Sequence, residues 1–239
     1  MDTLYIAFLT LIASAVGTIT GFGTSTILIP ILLFFLPHVE VIFLVAIIHW
    51  FGNVWKVLLF REGLNLRLFF LFGVVGLITT YIGAYITLGS NEQIFLRVLG
   101  IFLIIYSFFL IFKSSFKIPA VKAVALSGGA LSGFFAGMFG IGGAIRSMFL
   151  LAFNLPKEVY IATVGAIGLL VDSTRIITYF IGGVKLSEML WCGLLIFIPI
   201  SFLGAQVARR IVDKIPQNKF RTVIVAFLLL AGFKILLWP

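Results

Sequence analysis

Charge is scarce in this chain. Asp, Glu, Lys and Arg make up 10% of the 239 residues, whereas 62% are hydrophobic and the mean hydropathy is +1.25. Soluble domains carry roughly a quarter charged residues, so a water-soluble fold is excluded: it could not hide this much apolar surface. Cysteine is almost absent. A lone Cys192 rules out an intrachain disulfide and any Cys-based metal cluster. The apolar–polar alternation of a membrane β-barrel is missing as well; "VLGIFLIIYSFFLIF" is apolar on every side. No Gly-x-Ser-x-Gly elbow, His-Glu-x-x-His pair or phosphate-binding loop occurs. The chain offers no nucleophile–base pair for an intramembrane enzyme, no ATP site for a primary pump and no motif that asks for a cofactor or metal. The opening "MDTLYIAF" carries Asp2 and no basic region, as expected of a first membrane segment and not of a cleaved signal peptide. No soluble domain, linker or low-complexity tract is visible.

What the chain has instead is a series of apolar stretches of ~20 residues, the length a bilayer demands. They predict an all-α, polytopic protein of the cell membrane. The formal charge of +9 does not point to nucleic acid, because the basic residues cluster in short loops, where topology explains them. The chain also reads as duplicated. Leu36-Pro37 and Leu155-Pro156 lie 119 positions apart, and the same offset places Gly21 on Gly140, Gly23 on Gly142, Asn53 on Asp172 and Lys56 on Arg175. The halves are 1–118 and 119–239, together one transmembrane domain.

Each half has three long segments after its Leu-Pro: 39–60, 66–88 and 93–112, then 158–181, 186–208 and 219–238. The stretch before each Leu-Pro is harder to place. Its glycine cluster either interrupts one crossing or turns the chain back as a hairpin of short helices, with 24–35 and 143–153 as the returning arms. Hairpins give an odd count per half and an inverted repeat. They also gather Arg61, Arg67, Lys113, Lys117, Lys122, Lys157, Arg209, Arg210, Lys214 and Lys219 on one face, against Asp2, His38, Glu40, Glu92, Lys185 and Glu188 on the other. A single crossing would scatter that bias. The expected arrangement is two inverted repeats, each a Gly-broken hairpin plus three transmembrane helices, with both termini extracytoplasmic.

Broken backbone at membrane depth must be buried in protein or line a wet cavity. A helix starting after Gly140, Gly142 and Gly143 would present free N–H groups and its positive dipole end, and glycine would let a ligand approach the backbone. Gly21 and Gly23 match these positions in the first half, where Thr24 and Ser25 follow as capping or binding hydroxyls. Arg146 would add a full charge, unless it snorkels to a lipid phosphate. Gly17, Gly129 and Gly133 form small-residue ladders suited to helix packing.

A second constellation is Asn53-x-x-Lys56 and its mate Asp172-x-x-Arg175, each pair on one helix face. Ionisable residues this deep are functional by default, with a helix-fixing internal ion pair as the alternative. Asp172 is the first candidate to carry a coupling proton. His49, one turn before Asn53, reads as a polar residue packed on a neighbouring helix, with a proton relay as the alternative. Trp50, Trp55 and Trp191 read as packing residues or interfacial anchors.

"GFGTSTILIPIL", "LSGFFAGMFGIGGAIRSMFLLAFNLP" and "ATVGAIGLLVDSTRIITYF" resemble the TauE/SafE sulfite-exporter family over nearly the whole chain. The resemblance implies secondary transport of small anions, chiefly sulfur oxyanions and organosulfonates, with some members linked to other organic acids. It carries over onto Gly21, Gly23, Gly140, Gly142 and Gly143. The first half departs from the pattern, reading Gly-Phe-Gly-Thr where the second reads Gly-Ile-Gly-Gly. The expected function is a small-anion carrier working by alternating access, with an anion channel as the alternative. The expected partners are the anion, the bilayer and a coupling proton, with an oligomer left open.

Overall fold

The computed structural model describes residues 3–20, 22–60, 63–112, 119–211 and 217–238, without the side chains of 20 and 217–224. Among the described residues every regular element is a helix: α1 (Thr3–Thr20), α2 (Ser25–Leu32), α3 (His38–Leu59), α4 (Leu66–Leu88), α5 (Glu92–Phe112), α6 (Lys122–Phe139), α7 (Gly142–Leu151), α8 (Lys157–Ile181), α9 (Glu188–Ile211) and α10 (Gln217–Leu237). Helices satisfy every backbone polar group within the segment, which hydrocarbon requires. Helices α3, α4, α5, α6, α8 and α9 are long and apolar enough to cross a membrane. At 8 residues and 1.5 Å each, α2 is about 12 Å long and cannot.

The glycine clusters turn the chain back. Gly23, at φ +86°, donates its amide to Gly17 O at 3.2 Å, Ser14 Oγ lies 3.4 Å from Thr24 Oγ1, and the Tyr5 and Phe35 rings are 6.2 Å apart. Later residues meet progressively earlier ones, so α2 returns along α1. Gly140, at φ +72°, ends α6. Gly142 then lies so near Ser132 and Ala136 that a Cβ would overlap them, and Gly128 stands in the same relation to Phe149. Helix α7 therefore returns along α6. These contacts exclude the single-crossing arrangement. The returning helices are shorter than expected: α2 ends at Leu32 and α7 at Leu151, and turns lead from each to the next proline. Pro37 and Pro156 then launch α3 and α8 from nearly the same backbone, at φ −56°, ψ 142° and φ −50°, ψ 142°.

Helices α3 and α8 pack antiparallel, and so do α5 and α10; α4 lies beside α6, and α1 beside α9. The α4–α6 seam is built on small residues. A Cβ on Gly129, Gly133 or Gly137 would overlap the backbone of Phe72, Gly76 or Thr80. Thr80 Oγ1 donates to Gly133 O at 3.0 Å and Thr87 Oγ1 to Met138 O at 2.8 Å. Such close approach is how membrane helices associate, and Gly129 and Gly133 serve it here, whereas Gly17 abuts the backbone of Gly23 and Thr24 at the first hairpin turn.

Charged residues mark the two faces. On one, His38 N donates to Glu92 Oε1 at 3.0 Å and Ser187 N to Glu40 Oε1 at 2.8 Å, joining the starts of α3, α5 and α9. On the other, Asn65 N donates to Thr163 Oγ1 at 3.1 Å and Arg209 sits 6.0 Å from the Phe60 ring centre. Arg67, Lys122, Lys157, Arg209 and Arg210 belong to that second face. Arg61, Lys113, Lys117, Lys214 and Asp2 lie outside the described residues, as does the side chain of Lys219. The first hairpin enters from the acidic face and the second from the basic face. Their tips meet: Gly143 abuts the Phe22 carbonyl, and Gly140 abuts the Ile29 side chain.

Candidate functional site

Helices α3 and α8 cross beside the hairpin tips and bring the two i, i+3 pairs together. Asn53 Nδ2 donates to Asp172 Oδ2 at 2.9 Å, so the residues matched by the sequence offset touch each other. Within each helix the pairs bond alike: Lys56 Nζ donates to Asn53 Oδ1 at 3.2 Å, and Arg175 Nη1 to Asp172 Oδ1 at 2.8 Å. Arg175 Nη2 also donates to the Ile42 carbonyl of α3, at 3.2 Å. His49 Nδ1 lies 2.7 Å from Asp172 Oδ2. Asp172 thus joins three groups on two helices.

The glycines make this crowding possible. A Cβ on Gly168 would overlap the Asn53 amide. One on Gly23 would lie 2.6 Å from His49 Nε2, and one on Gly140 would lie 2.9 Å from Arg175 Nη2. The expected room for a ligand against Gly23, Gly140, Gly142 and Gly143 is therefore filled here by His49, Arg175, Ile29, Phe22 and the preceding helix. The tips are closed over the polar centre. Gly21 lies outside the described residues.

Neither returning helix is capped by a side chain at its start. Thr24 points its hydroxyl at Ser14, and Thr26 Oγ1 donates to Phe22 O at 2.7 Å. Ser25 is fully buried with no hydrogen-bond partner for its Oγ. Arg146, in α7, is 2% exposed, its Nε has no hydrogen-bond partner, and it interacts electrostatically with Asp172, Arg175 and Tyr160. Its burial removes the snorkelling alternative. The offset that relates the halves places Ile27 opposite Arg146, so this charge has no counterpart in the first hairpin.

Ser25 Oγ, His49 Nε2, Arg146 Nε and Arg175 Nε are buried polar atoms without hydrogen-bond partners. Native interiors leave few such atoms, and each asks for an explanation. The charge is unbalanced too. Among the described residues Lys56, Arg146 and Arg175 are buried cations and Asp172 is the one buried carboxylate, leaving two positive charges while His49 is neutral. Burying an uncompensated charge costs several kcal/mol. An oxyanion lodged among these groups would supply both the acceptors and the negative charge.

Sequence reasoning passed over His49 as a partner of Asp172. The signal was present: His49 lies one turn before Asn53 on the same face of α3, and it is ionisable within an apolar helix. Trp50 Nε1 donates to Ser173 Oγ at 2.8 Å and Trp55 Nε1 to Ser201 Oγ at 3.3 Å, so both fasten α3 to its neighbours; Trp191 packs edge-on against Phe43.

The family model described as Sulfite exporter TauE/SafE matches residues 6–235, which takes in both hairpins and the α3–α8 centre. No curated protein and no solved structure matches the chain.

Proposed function

Because this chain belongs to the sulfite exporter TauE/SafE family and is a multi-pass membrane transport protein, we propose that it carries a small anion across the membrane by alternating access. The substrate class is a sulfur oxyanion, an organosulfonate or a related organic acid. The observation that carries the reading is the excess of buried positive charge where the two hairpin tips meet. Arg146, Arg175 and Lys56 attract the anion. Ser25, Thr24 and the amides after Gly23 and Gly142–Gly143 hold its oxygens, with Gly21 and Gly140 shaping the turns. Asn53 and Asp172 keep the cations in place. Arg suits a sulfonate because its planar fork matches two oxygens at once.

The halves 1–118 and 119–239 act as inverted repeats that rock about this centre. Antiparallel packing of α3 on α8 and of α5 on α10 supports that reading, since inversion opposes each helix to its mate. The basic face is cytoplasmic and both termini are extracytoplasmic, by the positive-inside rule. The closed tips favour a carrier over a channel, because a carrier needs an occluded arrangement and a channel does not.

The test uses purified protein in liposomes, with labelled sulfite, thiosulfate, isethionate and small carboxylates. Saturable uptake with counterflow is expected for at least one sulfur anion. Steady conductance without counterflow would establish the channel instead, and no flux of any of these anions would sink the anion reading.

A further inference from the structure

The polar centre contains one titratable side chain with a spare nitrogen. Asp172, the candidate proton carrier in the sequence, is engaged on both oxygens: Oδ1 accepts from Arg175, and Oδ2 is engaged by Asn53 and His49. His49 is different. With Nδ1–H donated to Asp172, the neutral imidazole keeps its lone pair on Nε2. That atom is buried, has no hydrogen-bond partner, and faces the backbone of Gly23 at the tip of the first hairpin. The charged or polar groups around the ring are Asp172 from α8, Asn53 and Lys56 from α3, and Arg146 from α7. From the first hairpin tip, Gly23 lies against the ring.

We propose that His49 Nε2 is the site at which a proton binds together with the anion, so that transport runs on a pH gradient. The proposal rests on the anion-carrier reading. A proton on Nε2 adds a further cation to a buried centre that already sets Lys56, Arg146 and Arg175 against one carboxylate, Asp172. It also creates an N–H that needs an acceptor. A bound anion supplies both the negative charge and the acceptor oxygen. By linkage, proton and anion then raise each other's affinity by the same factor. The chemistry is one N–H bond formed from a water-borne proton at one face and broken to water at the other. One proton per monoanion makes the movement electroneutral. Because position 23 is glycine, no side chain separates Nε2 from the mobile tip, and withdrawing that tip uncovers the nitrogen.

The experiment uses the full chain in liposomes with an alkaline interior, the membrane potential clamped at zero, and labelled isethionate, whose sulfonate stays ionised throughout. Wild-type protein is expected to accumulate isethionate about tenfold per pH unit imposed, the ratio for one proton per anion. His49→Gln, checked as monodisperse, is expected to show slowed counterflow and no accumulation. Wild-type counterflow without pH-driven accumulation overturns the proposal whatever the variant does. So does His49→Gln that still accumulates tenfold. Loss of counterflow in both His49→Gln and His49→Asn assigns the ring to anion binding alone and overturns it too. Absence of isethionate counterflow in the wild type is a separate result: it removes isethionate as substrate, and the same measurement is made with whichever of sulfite, thiosulfate or the carboxylates exchanges; exchange of none removes the anion-carrier reading on which the proposal stands.

Discussion

The two broken hairpins share a plan and differ in the placing of the turn and in chemistry. Each turns on a left-handed glycine, Gly23 or Gly140, and each returns as a short helix with no side-chain cap. Each then leads through Leu-Pro into a long helix of the polar centre. The first tip carries hydroxyls, Thr24, Ser25 and Thr26. The second carries bare backbone and then Arg146. Each turn needs a glycine by conformation, but at positions that the offset does not match: Gly23 pairs with Gly142, which opens α7; a side chain at φ near +60° costs roughly 1–2 kcal/mol. The residues just past the turns differ: Thr24 turns its hydroxyl to Ser14 and Thr26 to the Phe22 carbonyl, Ser25 Oγ is buried without a partner, and Arg146 interacts with Asp172 and Arg175. In the proposed carrier the two hairpins present unlike walls to the anion, one neutral and one charged.

Substitutions that strip the charged wall should have the largest effect. Arg146→Gln is expected to lower anion uptake about 100-fold or more, losing charge-assisted bonds worth about 1.5–3 kcal/mol each. Uptake within a factor of two of wild type in liposomes would show that the walls are equivalent. Arg175→Ala should abolish uptake as well, and should also lower the melting midpoint in detergent. It removes the Arg175–Asp172 ion pair and leaves the carboxylate to Asn53 and His49, and breaking a buried pair costs about 3–5 kcal/mol. Arg146→Gln should leave that midpoint much closer to wild type, because no ion pair of Arg146 is broken. Equal melting losses would make Arg146 structural.

Packing at the tips comes next. Gly142→Val should block transport, since even a Cβ there overlaps Ser132 and Ala136; unchanged transport kinetics would contradict the closed tip. Ser25→Ala on the neutral wall should have the smallest effect, raising the half-saturating anion concentration by about tenfold or less, the worth of one neutral hydrogen bond. A larger loss from Ser25→Ala than from Arg146→Gln would reverse the ranking of the walls.

Much of the scaffold was legible in the sequence. The span 66–88 matches Leu66–Leu88 of α4, and the other long segments lie within a few residues of their helices. The hairpins were legible through charge, because the bias between faces survives only if the chain doubles back. The centre was legible in part. Two i, i+3 pairs at one offset announced that Asn53, Lys56, Asp172 and Arg175 belong together. That Asn53 and Asp172 bond to each other did not follow, nor did His49 as a partner of Asp172. The glycine corners read as room for a ligand, but that room is taken by His49, Arg175 and Ile29. A glycine records that something approaches the backbone and does not say what.

The sequence by itself determined the helices, their breaks and the faces from which the hairpins enter. These rest on local quantities: the length of an apolar run against the bilayer, the conformational freedom of glycine, and the tally of basic residues in loops. Only the tertiary structure decided which buried groups meet. His49 and Asp172 stand 123 positions apart, and their 2.7 Å contact depends on how α3 crosses α8. Such a pairing is fixed by the packing of whole helices, and no local pattern encodes it.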